Sequence, residues 1–95
     1  MVRNYESMII INAKLAPDVI RDVIAKYTNM ITTHGGEIVK TDDMGKRMLA
    51  YPINKATEGY YYVYYFNMDA DAVKVLEDNY RIDEHVFRHN LLVLE

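Results

Sequence analysis

Hydrophobic positions along this chain follow two rhythms, one of period two and one of helical period. Over residues 4–11, Tyr5, Ser7, Ile9 and Ile11 fall on one side and Glu6, Met8 and Ile10 on the other. A run so short and so rich in isoleucine predicts a strand, and Glu6 marks its own face as the open one. Residues 12–16 connect. Pro17 then suits the first turn of a helix, where its missing N–H costs nothing. Ile20, Val23, Ile24, Tyr27 and Ile31 recur at helical spacing, with Met30 widening the stripe. Gly35 and Gly36 stop that helix, one of them as its left-handed cap.

Residues 37–66 organise the rest. Residues 60–66, YYYVYYF, are all aromatic or β-branched, which suits a pleated, half-buried strand. Alternation sorts Tyr60, Tyr62, Tyr64 and Phe66 to the core face, and Tyr61, Val63, Tyr65 and Asn67 to the other. The nearest partner is residues 47–53. Pro52 offers no ladder donor, so residues 48–53 belong at a sheet edge. Gly45 marks a bulge further back. The polar segment 54–59, ending in Gly59, predicts a hairpin loop longer than two residues.

Asp69 is placed to N-cap a second helix, with Asp71 favourable to its dipole. Ala72, Val73, Val75, Leu76 and Tyr80 supply the apolar side of this helix. Residues 81–84 are a polar break, and residues 86–94 a final apolar strand that contains Arg88 and His89. The order β-α-β-β-α-β predicts an α+β protein with two helices covering one face of a four-stranded antiparallel sheet. Right-handed crossovers put the first and third strands in the middle. This is the ferredoxin-like, split βαβ arrangement, expected as a single domain over residues 1–95. Its uncovered face would carry Met8, Ile10, Tyr61, Val63, Tyr65, Asn90 and Leu92, with Arg88 beside them. Such a contiguous apolar area marks a partner site.

Composition narrows the function. Ninety-five residues, 51% of them hydrophobic, support one modest core and argue against disorder. The absence of cysteine excludes disulfides and thiolate metal sites. No apolar run approaches the ~20 residues of a membrane span. The first residues lack a signal-peptide pattern, so the expected compartment is the cytoplasm. The net charge of -3 excludes a surface coated in basic residues, though not a local basic patch that meets RNA.

Catalytic chemistry finds little footing. His85 and His89 would pair as metal ligands on a helix, but along a strand their spacing spans about 13 Å. The expectation is no metal, no cofactor and no small-molecule substrate. His89 is expected at the sheet with a hydrogen-bond partner. Asp42 and Asp43 are adjacent and point apart on a strand, which makes them solvated turn residues rather than a carboxylate dyad. No serine combines with a histidine and an acid at a motif spacing, and no Gly-rich phosphate loop is present. Residues 58–65 follow the RNP1 pattern of RNA-recognition domains only superficially. Glu58 stands where a base belongs, Tyr61 stands where Gly or Ala belongs, and Tyr60 and Tyr62 turn inward. The basic residues Arg3, Lys46, Arg47, Lys55 and Arg88 sit at loop and strand ends, suited to phosphate contacts that position without reading sequence.

The segment Gly45-Lys46-Arg47-Met48-Leu49-Ala50-Tyr51-Pro52-Ile53 resembles the G-x-R-x-L-A-Y-P-I pattern of the bacterial small-subunit ribosomal protein S-six family. Tyr5-Glu6, Gly59-Tyr60 and Arg81-Ile82 support the resemblance, which covers essentially the whole chain. It implies a ferredoxin-like fold without catalysis, located in the cytoplasm on the ribosome. It further implies a heterodimer with ribosomal protein S-eighteen that binds the central domain of small-subunit rRNA. The resemblance carries the partner surface to Leu49, Tyr61 and Val63, beside Tyr65, and RNA contact to Arg3 and Arg88, with Arg47 next to the apolar patch. Phe87, His89 and Asn90 depart from the family pattern. Two other classes compete on the same fold: a ligand-binding regulatory domain that dimerises through its sheet, and a small phosphatase. The first would need a rigid Gly-rich ligand loop and the second an Arg–Asn phosphate cradle. Neither spacing stands out.

Overall fold

The computed structural model describes residues 1–53 and 55–94. The elements run β1 (Val2–Asn12), α1 (Pro17–Thr33), β2 (Glu37–Ile53), β3 (Ala56–Asp69), α2 (Val73–Ile82) and β4 (Val86–Leu94). All strand pairs are antiparallel, in the order β2-β3-β1-β4, so the first and third strands are central as the connection rule requires. Tyr5 faces Phe66 and Ile9 faces Tyr62 across the central pair. Their face meets the apolar stripes Ile20–Val23–Tyr27–Ile31 of α1 and Val73–Leu76–Tyr80 of α2 to make the core. Polar atoms inside it are satisfied. The hydroxyls of Ser7 and Tyr80 lie 2.8 Å apart, and Tyr64 donates to the Ile24 carbonyl at 2.6 Å.

Both helix ends obey local chemistry. Pro17 occupies the first turn of α1. Gly35 takes a φ of 84°, its N–H reaching the Thr32 carbonyl, while Gly36 N–H reaches the Ile31 carbonyl at 2.8 Å. That pair of bonds is a Schellman cap, with glycine at the one position needing positive φ. The second helix departs from expectation. Asp69 accepts the Asp71 N–H at 2.9 Å and closes a turn ahead of α2, but Ala72 is the N-cap residue. Asp69 ends β3, so its side chain serves the strand-to-helix turn and the helix starts one turn later.

The β2–β3 hairpin is longer and more irregular than its sequence suggests. Its ladder begins at Glu37 opposite Asn67 and slips at Val39 and at Met44. At the second slip Gly45 has a φ of 73° and donates its N–H to Asp43 Oδ1 at 3.1 Å. The Tyr60 hydroxyl donates to both Asp43 oxygens at 2.6 and 2.7 Å. Asp43 is therefore exposed, as expected, but it pins a bulge within β2 rather than sitting in a turn. At the tip Ile53 faces Ala56, so two residues join the arms instead of a longer loop. Lys55 makes this possible by adopting a φ of 68°, a conformation that two-residue hairpin turns require. Asn54 lies outside the described residues.

Candidate interaction surfaces of the sheet

The hairpin changes what the uncovered sheet face can offer. Between the Met48–Glu58 and Ile53–Ala56 pairs, residues 49–52 oppose Thr57 alone. Pro52 sits in this excursion, where no ladder donor is needed. The surplus chain folds across the sheet. The Arg88 guanidinium carbon, on β4 at the opposite edge, lies 4.9 Å from the Tyr51 ring centroid. Three strand spacings, about 14 Å, separate those edges along the sheet, so the Tyr51 and Arg88 side chains meet above the central strands β3 and β1. Beneath the arm is a small hollow of about 150 Å³, lined by Ile10, Leu49, Tyr51, Tyr61 and Arg88 among others. Gly59 lets the layers meet. A Cβ there would overlap Ile10 Cγ2 and stand 3.1 Å from Leu49 Cδ2.

Four residues were expected as an exposed partner surface, and the structure places them unequally. Tyr61 and Val63 do face away from the helices, opposite Ile10 and Met8. Val63, however, is only 5% exposed. It lies on a central strand, flanked by the large rings of Tyr61 and Tyr65 and opposite Met8 and Asp42. Leu49 and Tyr61 are half-buried against the folded arm. Tyr65 is half-buried as well, with Lys40 Nζ 4.6 Å from its ring centroid. Burial pushes its hydroxyl above the usual tyrosine range, with Glu6 and Asp42 adding to the shift.

The expected RNA contacts are divided. Arg3 faces Met68 and so lies on the helix side of the sheet, whereas Arg88 faces Ile10 on the uncovered side. Seven residues along β1 separate their rows, about 23 Å, so one phosphate cannot touch both. Arg47 shares the uncovered face with Arg88, and Lys46 lies on the reverse face opposite Tyr60. Lys55 is exposed at the hairpin tip. Arg88, Arg47 and Lys55 are thus grouped around one end of the molecule, and Arg3 stands at the other.

His89 is on the helix side, as expected at the sheet, where its ring centroid lies 5.3 Å from that of Tyr80. His85 lies in the turn before β4, and its backbone N–H donates to Asp83 Oδ1 at 2.9 Å. Among the described residues no three His, Cys, Asp or Glu side chains converge as a metal site. Asp83 also accepts from Tyr27 at 2.6 Å and Lys26 at 3.2 Å. Burial opposes its ionisation, but these donors outweigh burial and hold the carboxyl below the ordinary range. Burial drives the Tyr27 hydroxyl upward, and its bond to Asp83 adds to the rise. This network ties α1 to the turn after α2 and is structural.

One feature escaped sequence reasoning and another was seen only in part. Tyr51 over Arg88 has no local signal, because the contact depends on how far the hairpin bends. The exposed tail of β4 was partly legible in the uncharged run Asn90–Leu91–Leu92–Val93–Leu94. Leu92, Val93 and Leu94 remain 47%, 46% and 38% exposed.

The molecule is thus of a class that presents sheet surfaces and edges, a split βαβ protein with open hollows along its sheet. A family profile described as "Ribosomal protein S6" matches residues 4–92. A Small ribosomal subunit protein bS6 from Caldanaerobacter subterraneus is 40% identical over 91 residues, 96% of each chain. Its counterpart from Sulfurimonas denitrificans is 39% identical over 87 residues, 92% of this chain and 64% of the longer relative. The crystal structure of 30S ribosomal protein S6 from Thermotoga maritima superposes with a TM-score of 0.93 at 32% identity, covering 99% of this chain and 89% of that one. The chain belongs to the ribosomal protein S6 family. It is a component of the small ribosomal subunit and a structural protein rather than an enzyme. No helix among the described residues is long and apolar enough to cross a membrane.

Proposed function

We propose that this protein binds the central domain of small-subunit rRNA as one half of a heterodimer with ribosomal protein S-eighteen. The observation that carries this reading is a net charge of -3 on a domain that exposes apolar strand surface. A lone RNA binder of this size needs positive charge that this chain lacks, while the apolar surface suits a protein neighbour. Arg88, Arg47 and Lys55 supply backbone contacts at one end of the sheet, Lys46 adds to them from the reverse face, and Arg3 makes a separate contact. These cations position the protein without reading bases. Leu49, Tyr61 and Tyr65 offer the partner their exposed margins, with Val63 packed between the two tyrosines.

The test is a binding titration on a central-domain rRNA fragment with this protein alone, with ribosomal protein S-eighteen alone, and with both. The two together are expected to bind far more tightly than either alone, and steeply with salt. Tight, sequence-selective binding by this protein alone at moderate salt would overturn the paired reading.

A further inference from the structure

The two edges of the sheet are protected very differently. β2 carries Glu37, Lys40, Asp42, Asp43, Lys46 and Arg47, and three register slips, the last of them containing Pro52. These devices all discourage another strand from pairing. At the other edge β4 pairs only with β1, and its stretch Asn90–Leu91–Leu92–Val93–Leu94 has neither charge nor proline. Its one register shift, between Ile10 and Ile11, lies at the opposite end of the strand. Leu92 and Leu94 project on the uncovered face and Leu91 and Val93 on the helix side, so both flanks of this edge are apolar. The strand ends at a hollow of about 480 Å³ whose lining includes Leu94, Tyr65 and Lys40.

We propose that the outer edge of β4 accepts an extended, uncharged, apolar segment of a neighbouring small-subunit protein as a fifth strand. This rests on the heterodimer reading above and adds a strand-pairing contact, at the β4 edge, to the apolar face described there. The chemistry of the occupant follows from the edge. A row of unpaired N–H and C=O groups calls for an extended backbone, and the flanking leucines and valine call for alternating apolar side chains. Area argues against a second copy of this chain. A nine-residue edge is ~30 Å long, and a sheet flank ~10 Å tall gives ~300 Å² per partner. The total, ~600 Å², is about half of what a stable interface needs. Strand pairing here is therefore part of a larger contact, made by a neighbour that the same RNA already holds close.

The experiment compares amide hydrogen exchange of β4 in the free protein and in small subunits reconstituted with it, alongside Leu92→Lys and a control, Ile82→Lys. Ile82 is equally apolar and 81% exposed, but it lies on α2. The outward-pointing amides among residues 90–94, which alternate with those already bonded to β1, are expected to slow by about tenfold or more on assembly. Leu92→Lys is expected to keep the free protein's melting temperature and lower its incorporation at least fivefold, with Ile82→Lys unchanged. Incorporation without added protection in β4 overturns the fifth strand and leaves the ribosomal assignment intact. Failure of the wild-type protein to incorporate overturns both. A dimer of the free protein that Leu92→Lys abolishes would assign the edge to a second copy and overturn the partner claim.

Discussion

Gly59→Ala probes the folded hairpin most directly. The added methyl would meet Ile10 Cγ2 at overlapping distance and Leu49 Cδ2 at 3.1 Å. Ile10 is 6% exposed and held on a central strand, so it cannot yield freely. Leu49 sits on the arm and can move. Overpacking of this kind costs about 1–3 kcal/mol. Because Gly59 does not require positive φ, removing glycine's unfolded-state freedom returns about 0.4–1 kcal/mol. The net expectation is a loss of up to about 2.6 kcal/mol, or a melting temperature lower by up to roughly 20 °C for a domain of this size. Thermal and urea denaturation of the wild type, Gly59→Ala, Leu49→Ala and the double variant measure it. The double variant should recover part of the loss, since Leu49→Ala removes one of the two obstructing groups, and this coupling should exceed ~0.5 kcal/mol. A Gly59→Ala protein as stable as the wild type, with no coupling to Leu49, would refute the close approach of arm and sheet.

Other consequences are more local. Val63→Ala should cost about 2 kcal/mol, and Val63→Asp should unfold a large fraction of the protein by burying a carboxylate opposite Asp42, both visible in equilibrium denaturation. Tyr27→Phe removes a bond to an ionised carboxylate and should cost about 1.5–3 kcal/mol near neutral pH. The folded-state pKa of Asp83 is depressed, so its stabilisation is complete above the ordinary carboxylate range and is lost as pH falls through the folded value. Asp83→Asn should accordingly flatten the acid limb of the stability–pH profile, and an unchanged limb would remove Asp83 from that account. Arg88→Ala should lower the log–log salt slope of heterodimer binding to rRNA by about 0.7–0.9, similarly across RNA sequences, and an unchanged slope and affinity would take Arg88 out of the interface.

Periodicity alone determined the element order and the inward faces. Tyr5, Ile9, Tyr64 and Phe66 lie where period two puts them, and Ile20, Val23, Tyr27 and Ile31 where helical spacing puts them. Pro17, Gly35 and Gly45 act through their own backbone restrictions, so their roles were legible one residue at a time. The same strand rhythm separated Val63 from the helix-side core but could not show that it is buried, because burial depends on Tyr61, Tyr65, Met8 and Asp42 arriving from three strands. Nor could linear position group the cations. Arg3 and Arg88 are parted by sheet register, and Tyr51 meets Arg88 because four residues of the arm face one across the ladder. Local sequence dictates where a strand bends, but the direction of that bend, and what it covers, is settled only when the arm packs against Ile10 across Gly59. The edge position of β4 and the open side of Leu92 followed from element order, but the exposure of Val93, which points to the helix side, is decided only by how far the helices reach along that edge.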